Sequence, residues 1–207
     1  MSKSGSLSLR FGNMYSGKSS WLNNELTILS EMGYSVIKIN HSDDIRTTSC
    51  ENNKTGTTHN PSFNGLSAKI AYLNCKILSS LPNLDQYQVI GIDEATFFPD
   101  LYDYVKDLVE NKKKIVKVVG LDGDSFKNTF GKDGTSNILD LIPLADDAVK
   151  LTALCRICQD ELTALGYGYI KPPAPFTKRL INTTEQKLIG GEGIYIPTCR
   201  IHHLSGY

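Results

Sequence analysis

The chain has 207 residues, and its 22 basic and 22 acidic side chains leave a formal charge of zero at pH 7. That balance excludes a global field drawing the protein to nucleic acid or an anionic membrane, and no run reads as a signal peptide or a membrane span. The length suits one α/β domain with an appendage. The expected compartment is the cytoplasm, where disulfides are rare and the five cysteines need another use.

In chain order, the first strand is the alternation Leu7, Leu9, Phe11, and a helical pattern of Trp21, Leu22, Leu26 and Leu29 follows over residues 19–32. Between them stands Gly12-Asn13-Met14-Tyr15-Ser16-Gly17-Lys18-Ser19, which fits G-x-x-x-x-G-K-[ST] in the strand-to-helix context that a phosphate-binding loop requires. Glycines let the backbone wrap phosphate oxygens, and amides at the helix start point at the anion. Lys18 then reaches the outer phosphates and the Ser19 hydroxyl suits magnesium, so the run predicts a nucleoside triphosphate ligand.

A second strand is predicted over residues 34–40, followed by a polar stretch (41–63) in which Asp44 and Arg46 lie close enough to the strand end to matter. Residues 66–81 read as a helix. The strand over 88–93 ends in adjacent carboxylates, Asp93 and Glu94: the first suits magnesium, the second a base acting on an attacking hydroxyl. Phe97 and Phe98 read first as core residues, with one of them able to stack on a flat base. A helix over 100–111 and strands over 114–122 and 148–153 complete the pattern. Alternating strands and helices imply a mostly parallel sheet, with ligands beyond the carboxyl ends of its strands.

The character changes near residue 150, which divides a nucleotide-binding domain (1–150) from a small loop-rich module (151–207). There Cys155-x-x-Cys158 and Cys199-x-x-His202 supply two thiolates, then a thiolate and an imidazole, separated by 40 residues (159 to 198). Four such donors suit tetrahedral, closed, structural zinc. A redox-active Cys155/Cys158 pair is the alternative, but it leaves Cys199 and His202 without a purpose. His203 competes with His202 as the fourth ligand; the two-residue gap favours His202. Cys50 and Cys75 lack ligand spacing.

Residues 12–19, Asp44-x-Arg46, Gly91-Ile-Asp-Glu-Ala-Thr-Phe-Phe98, Leu121-Asp-Gly123, Lys150-Leu-Thr-Ala-Leu-Cys155, Thr177-Lys-Arg179, Ile189-Gly-Gly191 and Tyr195 form an ordered series. In that series the chain resembles the zinc-containing (type II) thymidine kinases of cells, bacteria and large DNA viruses, over nearly its whole length. The resemblance implies a RecA-like phosphate-loop domain, plus a zinc-binding domain whose lasso loop (177–191) covers the substrate. It also implies a homo-tetramer, with no membrane and no direct nucleic-acid partner. The implied reaction moves the γ-phosphate of ATP to the 5′-hydroxyl of thymidine, with Mg2+. Glu94 would be the general base, with Lys18, Arg46 and Asp44 near the transferring group. Phe97 would stack on thymine, with Met14, Leu121, Phe130 and Tyr195 completing the pocket.

The chain departs from the family pattern at Thr96, where the family usually carries glutamine, and at Phe126, an aromatic displaced by one position. Insertions are read at 132–136 and within 162–175. A kinase of another deoxynucleoside and a RecA-like ATPase acting on nucleic acid are the competing functions. The second would be expected to carry basic tracts, and only Lys112-Lys113-Lys114 stands out.

Overall fold

Two leucines set the first layer of the core. The structure is a computed structural model describing residues 4–42, 70–131, 137–167, 172–181 and 193–205. In it, strand β1 (Ser6–Gly12) buries Leu7 and Leu9 completely on one face and leaves Ser8 and Arg10 half-buried on the other. The chain continues through α1 (Lys18–Glu31), β2 (Val36–His41), β3 (Ala71–Cys75) and β4 (Val89–Ile92). It then runs through α2 (Leu101–Lys106), β5 (Ile115–Gly120) and β6 (Asp147–Leu151). These six strands form one sheet in the order β3-β2-β4-β5-β1-β6, and every pairing in it is parallel. A parallel sheet is stable only when both faces are covered, which is why β2 and β4 are buried along their whole length.

The covers are unequal. On one face α1 sets Leu22 and Leu26 against Val36, Val89 and Val119. On the other, α2 and the π-helical turn that extends it (Asp107–Asn111) bring Leu101, Val105 and Leu108 onto Leu7, Leu9, Ile90, Ile92, Val116 and Val118. Phe98 is wholly buried in this second cluster, the core role expected for one of the paired phenylalanines.

The described part of the stretch expected to be a helix (66–81) is not one. Residues 66–69 lie outside the described residues. From Ala71 the chain is strand β3, paired in parallel with β2 from Ile37↔Ala71 to His41↔Cys75, followed by a 3₁₀ turn (Leu78–Ser80). Ile70 packs with the α1-side cluster while Ala71, Leu73 and Cys75 pack with the other. Ile70, Leu73, Ile77 and Leu81 recur at spacings that also satisfy a helix, and the open edge of β2 decides the matter by offering a ladder of partners. Asp100 then fixes the turn, accepting hydrogen bonds from Leu78 N (3.0 Å) and Ser79 N (2.7 Å).

Beyond β6 the elements are short: β7 (Ala153–Leu154), α3 (Arg156–Ala164), β8 (Pro173–Ala174), β9 (Phe176–Arg179), β10 (Tyr195–Thr198) and α4 (Arg200–Leu204). The run read as one strand over 148–153 is thus broken at Thr152. β7 pairs with β8 and β9 with β10, both antiparallel. Among the described residues their buried apolar cluster is Ala153, Cys155, Ile157 and Ala174, backed by Cys158, Ile196 and Cys199. So small a core cannot offset the entropy of ordering these strands, and the segment needs a further tie.

Gly91 in β4 tests the α1 cover. A Cβ at this position would lie 2.5 Å from Leu26 Cδ1 and 3.2 Å from Leu22 Cδ1, both in the buried layer. Gly91→Ala is expected to lower unfolding free energy by about 1–3 kcal/mol through overpacking. Denaturant titration of the two proteins measures the difference.

Candidate active site and metal centre

The carboxyl end of β1 carries the glycine-rich loop, and the backbone there permits nothing bulkier. Gly12 has φ 154°, and a Cβ on it would lie 2.1 Å from the Leu151 carbonyl oxygen at the end of β6. Gly17, at φ 82°, turns the chain into α1 from the left-handed region that glycine adopts without strain. The N-cap residue, Gly17, has no side chain to cap this helix, so the amides of its first turn are left to another acceptor. Lys18 curls back, its Nζ donating to Asn13 O at 2.7 Å. The Asn13 side chain is buried and turned into the protein: its Nδ2 donates to Met14 O (3.0 Å) and Phe176 O (3.3 Å), and its Oδ1 accepts from Ala153 N (3.3 Å). Asn13 thereby ties the loop to β7 and β9, as does Met14 N, which donates to Thr177 Oγ1 at 3.0 Å.

The two acids after β4 occupy different surroundings despite being neighbours. Asp93 is buried; its Oδ1 accepts from Ser19 Oγ (3.1 Å) and Glu94 N (2.9 Å), and its Oδ2 lies 2.8 Å from Lys38 Nζ. Burial works to raise this carboxyl, but the Lys38 ammonium and these hydrogen bonds outweigh it and hold Asp93 below the usual carboxylate range. Glu94 adopts φ 51°, ψ 37°, a left-handed conformation that costs a non-glycine residue about 1–3 kcal/mol and is found at functional sites. That bend ends the strand and leaves Glu94 partly exposed while Asp93 stays inside.

At the other end of the chain, Cys155, Cys158, Cys199 and His202 place their ligand atoms within 4.8 Å of one another. His202 Nδ1 lies 3.5 Å from Cys155 Sγ, 3.2 Å from Cys158 Sγ and 3.5 Å from Cys199 Sγ, and the Cys158 and Cys199 sulfurs are 3.8 Å apart. A tetrahedral metal with bonds of about 2.3 Å to sulfur and 2.0 Å to nitrogen needs edges of roughly 3.8 and 3.5 Å. The donor set fits such an ion. Burial and the neighbouring thiols push Cys158 up to about 12, a shift that a bound cation would oppose. Glu161 Oε2, 3.3 Å from His202 Nε2, fixes which ring nitrogen faces the sulfurs. His203 is engaged elsewhere, with Nε2 3.1 Å from Ser125 O and its ring 5.3 Å from that of Phe176.

A sequence profile described as thymidine kinase matches residues 5–203. The chain belongs to the thymidine kinase family. Thymidine kinase a of Arabidopsis thaliana is similar at 35% identity over 210 residues, covering 99% of this chain and 77% of that protein. The thymidine kinase of vaccinia virus (strain Tian Tan) is 36% identical over 199 residues, 95% of each chain. A rice thymidine kinase (Oryza sativa subsp. japonica) is 44% identical over 122 residues, 59% of this chain and 39% of that protein.

Two of the residues expected around a base, Phe97 and Phe130, lie near each other. Phe97 is half-buried, with its ring 6.2 Å from Phe130 in an edge-on arrangement and 5.9 Å from His41. Tyr195 is buried on β10 opposite Arg179, whose guanidinium lies 5.3 Å from the Tyr195 ring centre. Thr96 is fully buried, and its hydroxyl donates to Leu121 O at 3.0 Å. The displaced aromatic, Phe126, is exposed beside Arg179. Asp44, Arg46, Cys50, the insertion at 132–136, residues 168–171 of the second insertion and residues 182–191 of the lasso lie outside the described residues. The motif spacings pass over Lys38, Asn23 and the inward role of Asn13. Lys38 carried a signal: it is a lone charge inside the apolar run Val36-Ile37-Lys38-Ile39.

The geometry separates the two histidines. His202→Ala is expected to reduce bound metal per chain and lower the melting temperature, whereas His203→Ala should retain the metal. Elemental analysis of each purified protein decides between them.

Proposed function

We propose that the protein is an ATP-dependent thymidine kinase that transfers the γ-phosphate to the nucleoside 5′-hydroxyl. The observation that carries this reading is the contact between Ser19 of the glycine-rich loop and Asp93 after β4, made in a chain that matches the family from residue 5 to 203. That contact brings the glycine-rich loop and a pair of acids together at the carboxyl ends of β1 and β4, where ligands of parallel sheets bind.

In this reading the backbone of residues 12–19 and the uncapped start of α1 hold the triphosphate, with Lys18 leaving Asn13 O for the outer phosphates. Magnesium would be held at Ser19 and Asp93 and would neutralise charge on the transferring group. Glu94 accepts the proton of the 5′-hydroxyl, and its partial exposure leaves it reachable by a nucleoside. Arg46 and Asp44, which lie outside the described residues, would act on the same group. Phe97 stacks on the base, with Met14, Leu121, Phe130 and Tyr195 around it. Zinc is the metal that three thiolates and one imidazole in a closed tetrahedron favour. It would staple residues 151–207, which carry the lasso proposed to cover the nucleoside (177–191), as a domain separate from 1–150.

Thr96 favours a second reading, a kinase of another deoxynucleoside, because its hydroxyl is spent on Leu121 O and is not offered to a base. ATP consumption against a panel of nucleosides, with a no-acceptor control, separates the possibilities. Thymidine-dependent turnover is expected; equal turnover without any nucleoside would overturn the kinase reading. Glu94→Gln should leave ATP binding intact and lower kcat by about 10²–10⁴-fold, the usual contribution of a positioned base. Lys18→Ala should weaken ATP binding and turnover together. Equilibrium nucleotide titration alongside steady-state kinetics checks both.

A further inference from the structure

Lys38 is an ammonium inside the sheet, only 6% exposed, in a strand buried along its entire length. The parallel register sets it opposite Tyr72 on β3 and Gly91 on β4, two residues before Asp93. Its Nζ lies 2.8 Å from Asp93 Oδ2, donates to Asn23 Oδ1 on α1 at 2.8 Å, and sits 6.0 Å from the Tyr72 ring centre. Groups from three elements therefore converge on one charge. Stability does not account for it, because a buried ion pair is often no better than well-packed apolar residues of similar size. The surrounding Val36, Ile37 and Ile39 show that apolar packing is available here.

What the pair does achieve is a division of the Asp93 carboxylate. Oδ2 is claimed by Lys38, while Oδ1 is held beside the Ser19 hydroxyl and the Glu94 amide. We propose that Lys38 is a positioning residue: anchored by Asn23, it locks Asp93 in the one orientation that presents Oδ1 next to Ser19 for the metal of the metal–nucleotide complex. Lys38 itself touches no substrate. The inference rests on the kinase reading above, in which Ser19 and Asp93 serve magnesium. It adds a third residue from β2 to that end of the site, as partners behind a metal ligand commonly do.

The test measures the magnesium concentration giving half-maximal thymidine-dependent turnover in the full chain, together with the KM for thymidine and the melting temperature. For K38Q the half-saturating magnesium should rise about tenfold with thymidine KM within about twofold, and N23A, which loosens the anchor but keeps the ion pair, should move it the same way by about two- to threefold. A merely structural Lys38 would lower the melting temperature and leave the magnesium requirement where it was; that result overturns the proposal. If K38Q does not fold, N23A decides alone, with a shifted requirement supporting the proposal and an unshifted one overturning it. D93N identifies which reading has failed. A shifted D93N with unshifted K38Q and N23A removes only the role of Lys38. An unshifted D93N removes the assignment of Asp93 to magnesium, and the proposal falls with it.

Discussion

A carboxylate buried at the end of a parallel strand must be neutralised where it stands, and the pairing of Asp93 governs how the edge of this sheet is built. Lys38 arrives from β2, Ser19 from the first turn of α1 and the Glu94 amide from the bend that follows. Each partner belongs to a different segment, so satisfying one charge fixes α1, β2 and β4 relative to one another. A buried charge left unpaired is far costlier than a paired one. The same network leaves Glu94, one residue on, partly open.

A second set of contacts joins this edge to the small module. Asn13 bonds to backbone at Phe176 and Ala153, and Met14 N to Thr177, so the glycine-rich loop is braced by β7 and β9. β9 is held from its other side as well, where Lys178 Nζ donates to His202 O at 2.8 Å and also to Ser205 O. The strand that leads into the proposed lasso is therefore pinned between the phosphate loop and the Cys/His cluster. His203 extends the tie to Ser125, in the segment that leads to Phe130. Hydrogen bonds between side chains and backbone thus connect the Cys/His cluster to the glycine-rich loop through β9.

How far the sequence could be read depended on how local each feature is. The strand–loop–helix of residues 6–31 was legible because its glycines, lysine and apolar periods are set by local backbone geometry. The assembly of Cys155, Cys158, Cys199 and His202 was legible because ligand spacing within each pair is a short-range constraint. Residues 71–75 were misread as helix because Ile70, Leu73, Ile77 and Leu81 recur at helical spacing, and only the neighbouring β2 reveals the strand. The π turn after α2 and the break at Thr152 were likewise invisible to periodicity.

The sequence by itself determined the fold class, the family, the candidate acids and the candidate metal ligands, since each is written in residue types at short fixed intervals. Only the tertiary structure decided that Asn13 turns inward and that His203 serves Ser125 rather than the sulfur cluster. It alone spent the Thr96 hydroxyl on Leu121 O and set Lys38 behind Asp93. Those are choices among hydrogen-bond partners far apart in the chain. They are settled by which buried polar groups meet when the layers close, and by the cost of leaving any of them unpaired.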